Sequence, residues 1–393
     1  MDTRTASGQS ADKDTPSAVR AALQSARASL GASPTLGFLF ASSEHDFGVV
    51  MSTAVECAPG CEFMSSQTAG EFTERGRTRG GIAVLLTTLD PASFVVASGQ
   101  SMRTRPLELA RTLTQPFKPL QDRAGRFGSA LSTTVLLMDG LAGTGEHVVK
   151  EVLNTTRLFQ QVVGGAAGDD GKFQSTEVGT SRFSGTDAAV ALHVFGARPW
   201  GIGVDHGLAP RTRPMLVTRA SGNVIHEIDR KPAFEAYRAF AASRGIELTP
   251  ENAAPFLIAN ELGVFFLNEL HHARAPIGVG SQGELKLVAE VAQGATVCIL
   301  DGETDAMIAA AGRAAEHART SLEGTPAAGV LVFDCVCRGM ILQDAFQREV
   351  EAVGRVFPNV PIAGFLTYGE IARFRGKLDG WHNSTAVVAA IPA

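Results

Sequence analysis

The chain has no long hydrophobic run: stretches such as Ile82–Leu86 and Val387–Ile391 are far too short to cross a bilayer as helices. It has only two Trp, two Tyr and five Cys: Cys57, Cys61, Cys298, Cys335 and Cys337. So few thiols, and an odd number, cannot frame a disulfide-stapled fold in 393 residues, which points to a reducing cytoplasm. Nor does one sign of charge dominate. The 35 Lys and Arg are scattered among 40 Asp and Glu, and a net charge of −5 argues against a nucleic-acid or anionic-membrane footprint. Met1 to Pro16 lack the apolar core of a signal peptide, so residues 1–18 read as a polar, disordered leader. The P-loop ending Gly-Lys-Ser/Thr, the GxGxxG spacing and the G-x-S-x-G nucleophile elbow are all missing.

What the chain does have is 45% hydrophobic and 19% charged residues, enough to bury a large core split into two domains. Three segments share one plan. Thr35–Phe40, Thr134–Met138 and Gly329–Phe333 are short apolar strands, each followed by a helical stretch and a second apolar strand. Val149–Phe159 and Asp344–Val353 are two of the helices. A Gly-acid corner comes next: Gly70-Glu71, Gly168-Asp169 and Gly369-Glu370. Each copy ends in a polar hairpin and a third strand, at Gly81–Leu86, Ala188–Val194 and Thr385–Ala390. Strand end and shared glycine are 30 residues apart in two copies (Phe40 to Gly70, Met138 to Gly168) and 35 in the third (Asp334 to Gly369). The pattern predicts an α/β fold with mixed sheets, built from repeated β-α-β plus hairpin units joined by right-handed crossovers. Between the second and third copies the rhythm changes to turn-rich strands, among them Gly263–Leu267 and Glu284–Glu290.

Ligands of open α/β sheets collect beyond the carboxyl ends of the strands. In the third copy that edge carries Val332-Phe-Asp-Cys-Val-Cys-Arg-Gly339, Ala363-Gly-Phe-Leu-Thr-Tyr-Gly-Glu370 and Trp381-His-Asn383. Cys335, Arg338, Tyr368, Gly369, Glu370, His382 and Asn383 therefore make a candidate pocket: a thiol, an anion clamp and acid/base groups. Arg338 is expected to hold a carboxylate in two bonds, unless it pairs with Asp334 or Glu370 and merely pins the loop. The four cysteines of Cys57-x-x-x-Cys61 and Cys335-x-Cys337 have unusual spacing for zinc and read as small buried side chains, Cys335 excepted. His147 and His317 read as solvated helix residues, His193 as a core histidine. Gly140-Leu-Ala-Gly-Thr-Gly145 reads as helix-start geometry, although its amides could hold an anion.

From about Val19 to Ile391 the order of these motifs resembles the FIST-domain proteins, a bacterial sensory family. The shared elements are Phe-x-Cys-x-x-Arg, Ala-Gly-Phe-x-Thr-Tyr-Gly-Glu, a final His-Asn and a central Arg274-Ala-Pro-Ile-Gly-Val279. The resemblance implies an N-terminal FIST region over 19–213 and a C-terminal one over 214–393. It implies a cytoplasmic small-ligand sensor that signals through a separate protein, such as a histidine kinase or a cyclic-di-GMP enzyme. One subset of the family senses nitric oxide through haem. Haem b, held here without thioether links for want of a C-x-x-C-H motif, would take His382 as iron ligand, with Tyr368 and Cys335 as alternatives. Two other readings stay open: an enzyme acting on a small carboxylate through Cys335, Arg338, Glu370 and His382, and a scaffold with a vestigial pocket.

Overall fold

Each repeat folds into a central strand, a helix, a parallel crossover strand, a hairpin and an antiparallel closing strand. The computed structural model describes residues 2–125, 131–156, 161–266, 269–374 and 377–393; the end of the predicted Val149–Phe159 helix lies outside them. The central strands are Leu36–Ser42, Leu131–Met138 and Ala327–Cys335, and the crossover strands are Glu62–Thr68, Gln161–Ala166 and Ile362–Thr367. Ile82–Thr87, Ala188–Gly196 and Ala386–Pro392 close the three repeats.

Two features go beyond the sequence pattern. Every repeat starts one strand earlier than its apolar run, with Thr5–Ser10, Phe94–Gln100 and Gly201–Asp205 pairing antiparallel to the closing strands. Every hairpin also leaves its own sheet. The first repeat's hairpin (Glu71–Thr73, Gly76–Arg77) extends the third repeat's crossover strand. The second repeat's hairpin (Val178–Thr180, Phe183–Gly185) extends the first sheet, and the third repeat's (Glu370–Phe374, Lys377–His382) extends the second. The three six-stranded sheets thus share one strand order, and a cyclic exchange of hairpins locks them together.

Successive strand residues point to opposite faces. Phe38 and Phe40, Val135 and Leu137, and Leu331 and Phe333 turn one face of each central strand into a single shared core. Phe365 anchors it, 4.7 Å from Phe40 and 5.8 Å from Phe333 between ring centroids. The opposite faces, with Leu39, Leu136 and Val332, meet helices. Full burial of each such side chain contributes about 1.5–3 kcal/mol.

The disordered leader expected over residues 1–18 is not found. Thr5–Ser10 is a paired edge strand, and helix Thr15–Leu30 starts at Asp14, whose carboxylate accepts the Ser17 N–H at 3.0 Å. Small side chains make this possible, because Gly8 lies against the helix where a Cβ would collide with the Ala22 carbonyl oxygen. The expected boundary at 213–214 falls inside the third repeat. Residues between Asp205 and Thr304 interrupt that repeat and build a nine-stranded sheet of their own, with Leu262–Phe266, Glu269–Arg274 and Thr296–Asp301 among its strands. No described helix is long and apolar enough to cross a membrane.

Gly8→Ala should lower the free energy of unfolding in a urea titration by about 1–3 kcal/mol through overpacking. In a disordered leader the same change would stay within about 0.5 kcal/mol.

Candidate functional site

The Gly-acid corners are built alike in the first and third repeats. Glu71 and Glu370 are both fully buried. Glu71 accepts the Thr68 hydroxyl at 2.8 Å and the Gly81 N–H at 2.9 Å; Glu370 accepts the Thr367 hydroxyl at 2.5 Å and the Thr385 N–H at 3.1 Å. Gly81 and Thr385 each stand just before a closing strand, so the carboxyl group ties the corner to the sheet. The second repeat differs. Asp139 takes that role, accepting the Asp187 N–H at 2.7 Å. Its corner acid, Asp169, instead binds the Tyr368 hydroxyl at 2.5 Å and the backbone N–H groups of Phe173, Gln174 and Ser175. Those bonds outweigh burial and lower the Asp169 pKa.

Cys335, Arg338, Glu370, His382 and Asn383 gather around the third corner. The Cys335 N–H reaches the Thr385 carbonyl at 3.2 Å, the Cys335 thiol bonds Glu370, and Glu370 lies opposite His382 in the hairpin. All five are buried, and none lines any of the three clefts described below. Gly369 packs on the indole of Trp381, where a Cβ would collide, and its carbonyl accepts the Ala166 N–H at 2.8 Å. Tyr368 turns away to Asp169 and stacks on Phe173 at 4.7 Å.

Arg338 is not an anion clamp. Its Nε lies 3.1 Å from both Asp334 and Glu349, and one terminal nitrogen bonds the carbonyls of His206 (2.7 Å) and Ser384 (3.4 Å). The other bonds Glu349 and the Met307 carbonyl. A guanidinium has five N–H donors, and all five are spent inside the protein. Asp334 is one of the two partners weighed from the sequence. Glu349, on helix Phe346–Val356, gave no sequence signal.

The three side chains expected to bind haem iron do not fit that role. His382 is buried, with Nε2 3.3 Å from the Ala372 carbonyl and its ring 5.2 Å from that of His272. Tyr368 is committed to Asp169, and burial and that bond push its hydroxyl up. The Cys335 thiol is pushed up by its hydrogen bond with Cys337 and by burial, which disfavours the thiolate that would bind iron or attack a substrate. Among the described residues no three or more His, Cys, Asp or Glu are grouped as a metal site, and all five thiols are free.

Open space lies one residue away, at Trp381. Two adjoining clefts of about 350 and 550 Å3 share Glu146, His147, Gly222, Glu290 and Trp381. Their walls come from three sources: the turn and helix start at Gly140–His147, the inserted sheet at Gly222 and Val288–Gln293, and the third repeat's hairpin. The glycines are needed here. A Cβ at Gly145 would enter the Trp381 indole, and one at Gly140 would strike Tyr368.

The charges in this cleft are mixed. Arg274, from the inserted sheet, bonds Glu146 at 3.1 Å and the Trp381 carbonyl at 3.2 Å. The second oxygen of Glu146 accepts the Glu290 N–H at 2.9 Å. His147 Nε2 and the Glu290 carboxylate, 4.0 Å apart, stand between the two compartments. The smaller offers the helix start and Asn223; the larger offers Lys150, Gln293, Val149 and Leu153. Sequence reading assigned His147 to a solvated face and did not single out Arg274, Glu146 or Glu290 as site residues. A third cleft of about 890 Å3, near Leu131, Phe195 and Trp200, lies at the other end of the central strands.

Residues 35–231 match the FIST N domain and residues 233–373 the FIST C domain. An uncharacterized protein of Mycobacterium tuberculosis is 27% identical over 311 residues, covering 76% of this chain and 78% of that protein. An uncharacterized protein of Mycobacterium bovis is 25% identical, covering 76% and 77%. A solved structure of phosphoribosylformylglycinamidine synthase II from Thermotoga maritima shares 10% identity at a TM-score of 0.23, covering 99% of this chain and 72% of that one, a likeness too slight to carry an argument.

Arg338→Ala strands two buried carboxyl groups and should cost about 3–5 kcal/mol of stability. The check is a melting curve without any ligand. An unchanged melting temperature would contradict the locked geometry.

Proposed function

Because this chain belongs to the FIST family, whose domains suggest a sensor or ligand-binding role, we propose that it binds a small molecule in the paired cleft at Trp381. The supporting observation is that the second repeat, the third repeat and the inserted sheet each supply a wall. An occupant would bridge three structural parts, so binding would alter how they sit together. Two compartments of this size suit an elongated molecule of metabolite size, and the mixed charges suit one with polar groups at both ends. The family resemblance supports output through a separate protein, a histidine kinase or a cyclic-di-GMP enzyme. The free cysteines support a cytoplasmic location.

Haem-based sensing of nitric oxide is not part of this proposal, since its expected iron ligands are committed elsewhere. The enzyme reading loses its clamp and an accessible thiolate with Arg338 and Cys335, and no observation favours it.

A thermal-shift screen of small polar metabolites tests the site. A ligand at a hundred times its Kd stabilises the folded state by about 2.7 kcal/mol. Ala292 is exposed at the mouth of the larger compartment, so Ala292→Trp should abolish the ligand-induced shift while the ligand-free melting temperature holds. A shift that survives the substitution would place the ligand elsewhere.

A further inference from the structure

The inserted sheet rests on the repeats partly through apolar contacts, with Ala273, Cys298 and Leu300 sharing a core with Met307, Leu342 and Trp381, and partly through buried ionisable groups. Glu261, just before strand Leu262–Phe266, is fully buried and accepts the Ser384 hydroxyl through one oxygen. Its other oxygen has no hydrogen-bond partner among the described residues. Glu370 lies close enough for the two carboxyl groups to oppose each other's ionisation. Asp334 and Glu349 are buried beside them, around Arg338.

Charge counting limits what these groups can do. Among the described residues four carboxyl groups are buried together, the Arg338 guanidinium lies wholly among them, and Arg274, bonded to Glu146, also faces Glu261. Burying four carboxylates against these two guanidinium groups, one of them already paired with Glu146, would cost far more than keeping protons on some of them. Glu349 leaves one oxygen without a hydrogen-bond partner among the described residues, and the Asp334 oxygen that lacks one stands 3.1 Å from the Arg338 Nε as an ion pair. The other groups facing the cluster are Cys335, Cys337 and the Tyr237 hydroxyl. His272 and His382 face each other alongside.

We propose that the seam between the inserted sheet and the repeats is a proton-operated clasp: losing a proton from Glu261 or Glu370 loosens the seam and the cleft wall beside it. The link to the cleft is direct. Leu262, next to Glu261, pairs with Arg274 across the strand ribbon, and Arg274 is the rivet to Glu146 and Trp381. That the looser wall would change ligand uptake rests on the cleft being the ligand site.

The direction follows from proton linkage. Burial raises Glu370 from 4.5 to about 7, and raises Glu261 well above its ordinary range. Between pH 4.5 and about 7 the folded chain holds a proton on Glu370 that the unfolded chain has lost. The stability this proton contributes is complete below 4.5 and is lost as pH rises through about 7.

Hydrogen exchange of the ligand-free chain, followed from pH 5.5 to 8.5, tests the clasp. After correction for the intrinsic rate, the peptide containing Leu262–Val264 should exchange faster as pH rises, by up to about tenfold per unit. The closing strand Ala188–Gly196, which carries none of the cluster's carboxyl groups, should not. Glu261→Gln keeps the Ser384 bond without an ionisable group and should reduce the rise, Glu370→Gln serves if that variant does not fold, and the two changes together should flatten the profile. A flat wild-type profile, or an unchanged rise in a folded Gln variant, would overturn the proposal. No ligand is present, so failure here leaves the cleft reading standing, and failure to find a ligand leaves the clasp standing.

Discussion

The cyclic exchange of hairpins is the constraint on which the rest of the structure depends. A crossover strand at a sheet edge exposes unpaired backbone groups, which proteins must cover. Here each edge is covered by the next repeat's hairpin, and the corners that launch the hairpins meet in backbone bonds. Leu366 donates to the Gly70 carbonyl at 2.7 Å, Gly168 to Gln67 at 3.1 Å and Tyr368 to Ala166 at 3.0 Å. A repeat with its own hairpin docked elsewhere cannot complete its sheet alone. The exchange also gathers the carboxyl ends of three parallel strand pairs into one region, where an α/β fold presents its ligands.

The open cleft forms where the symmetry breaks. Two repeats use a buried Glu to tie corner to closing strand; the second uses Asp139 and frees Asp169 to hold Tyr368 and the loop beyond it. The third repeat carries the inserted sheet, which lies across the second repeat's glycine-rich turn. These departures leave an open, mixed-charge cleft beside a closed cluster of acids. The closed cluster fixes the wall through Arg274 and Glu261, and the open cleft has room for a guest.

Much of this was legible in the sequence. Short Val, Leu and Phe runs with matching glycine punctuation were enough to read the repeat, because strand, crossover and corner are local. The leading strand Thr5–Ser10 escaped because its residues are small and polar and its pairing partner lies more than seventy residues away. Hairpin exchange left no local trace, since a hairpin has the same pattern whichever sheet it joins. The side chains of the third corner were read as an open pocket; five of them gather around a buried carboxyl group, and Tyr368 turns away to Asp169. Sequence shows that Arg338 follows Asp334 by four residues; it cannot show that Glu349 closes the pair. The cleft was hidden for the opposite reason. Its glycines look like ordinary helix-start punctuation until Trp381 and Tyr368 arrive from the far end of the chain.

The account's central claim is that ligand binding joins the repeats to the inserted sheet. Differential hydrogen exchange, with and without a compound that raises the melting temperature, tests it most directly. Protection should rise together in the peptides spanning Gly143–His147 and Val288–Gln293, which face each other across the cleft. Protection confined to the other end of the strands, around Thr88–Ser93 and Phe195–Arg198 beside the third cleft, would contradict the claim.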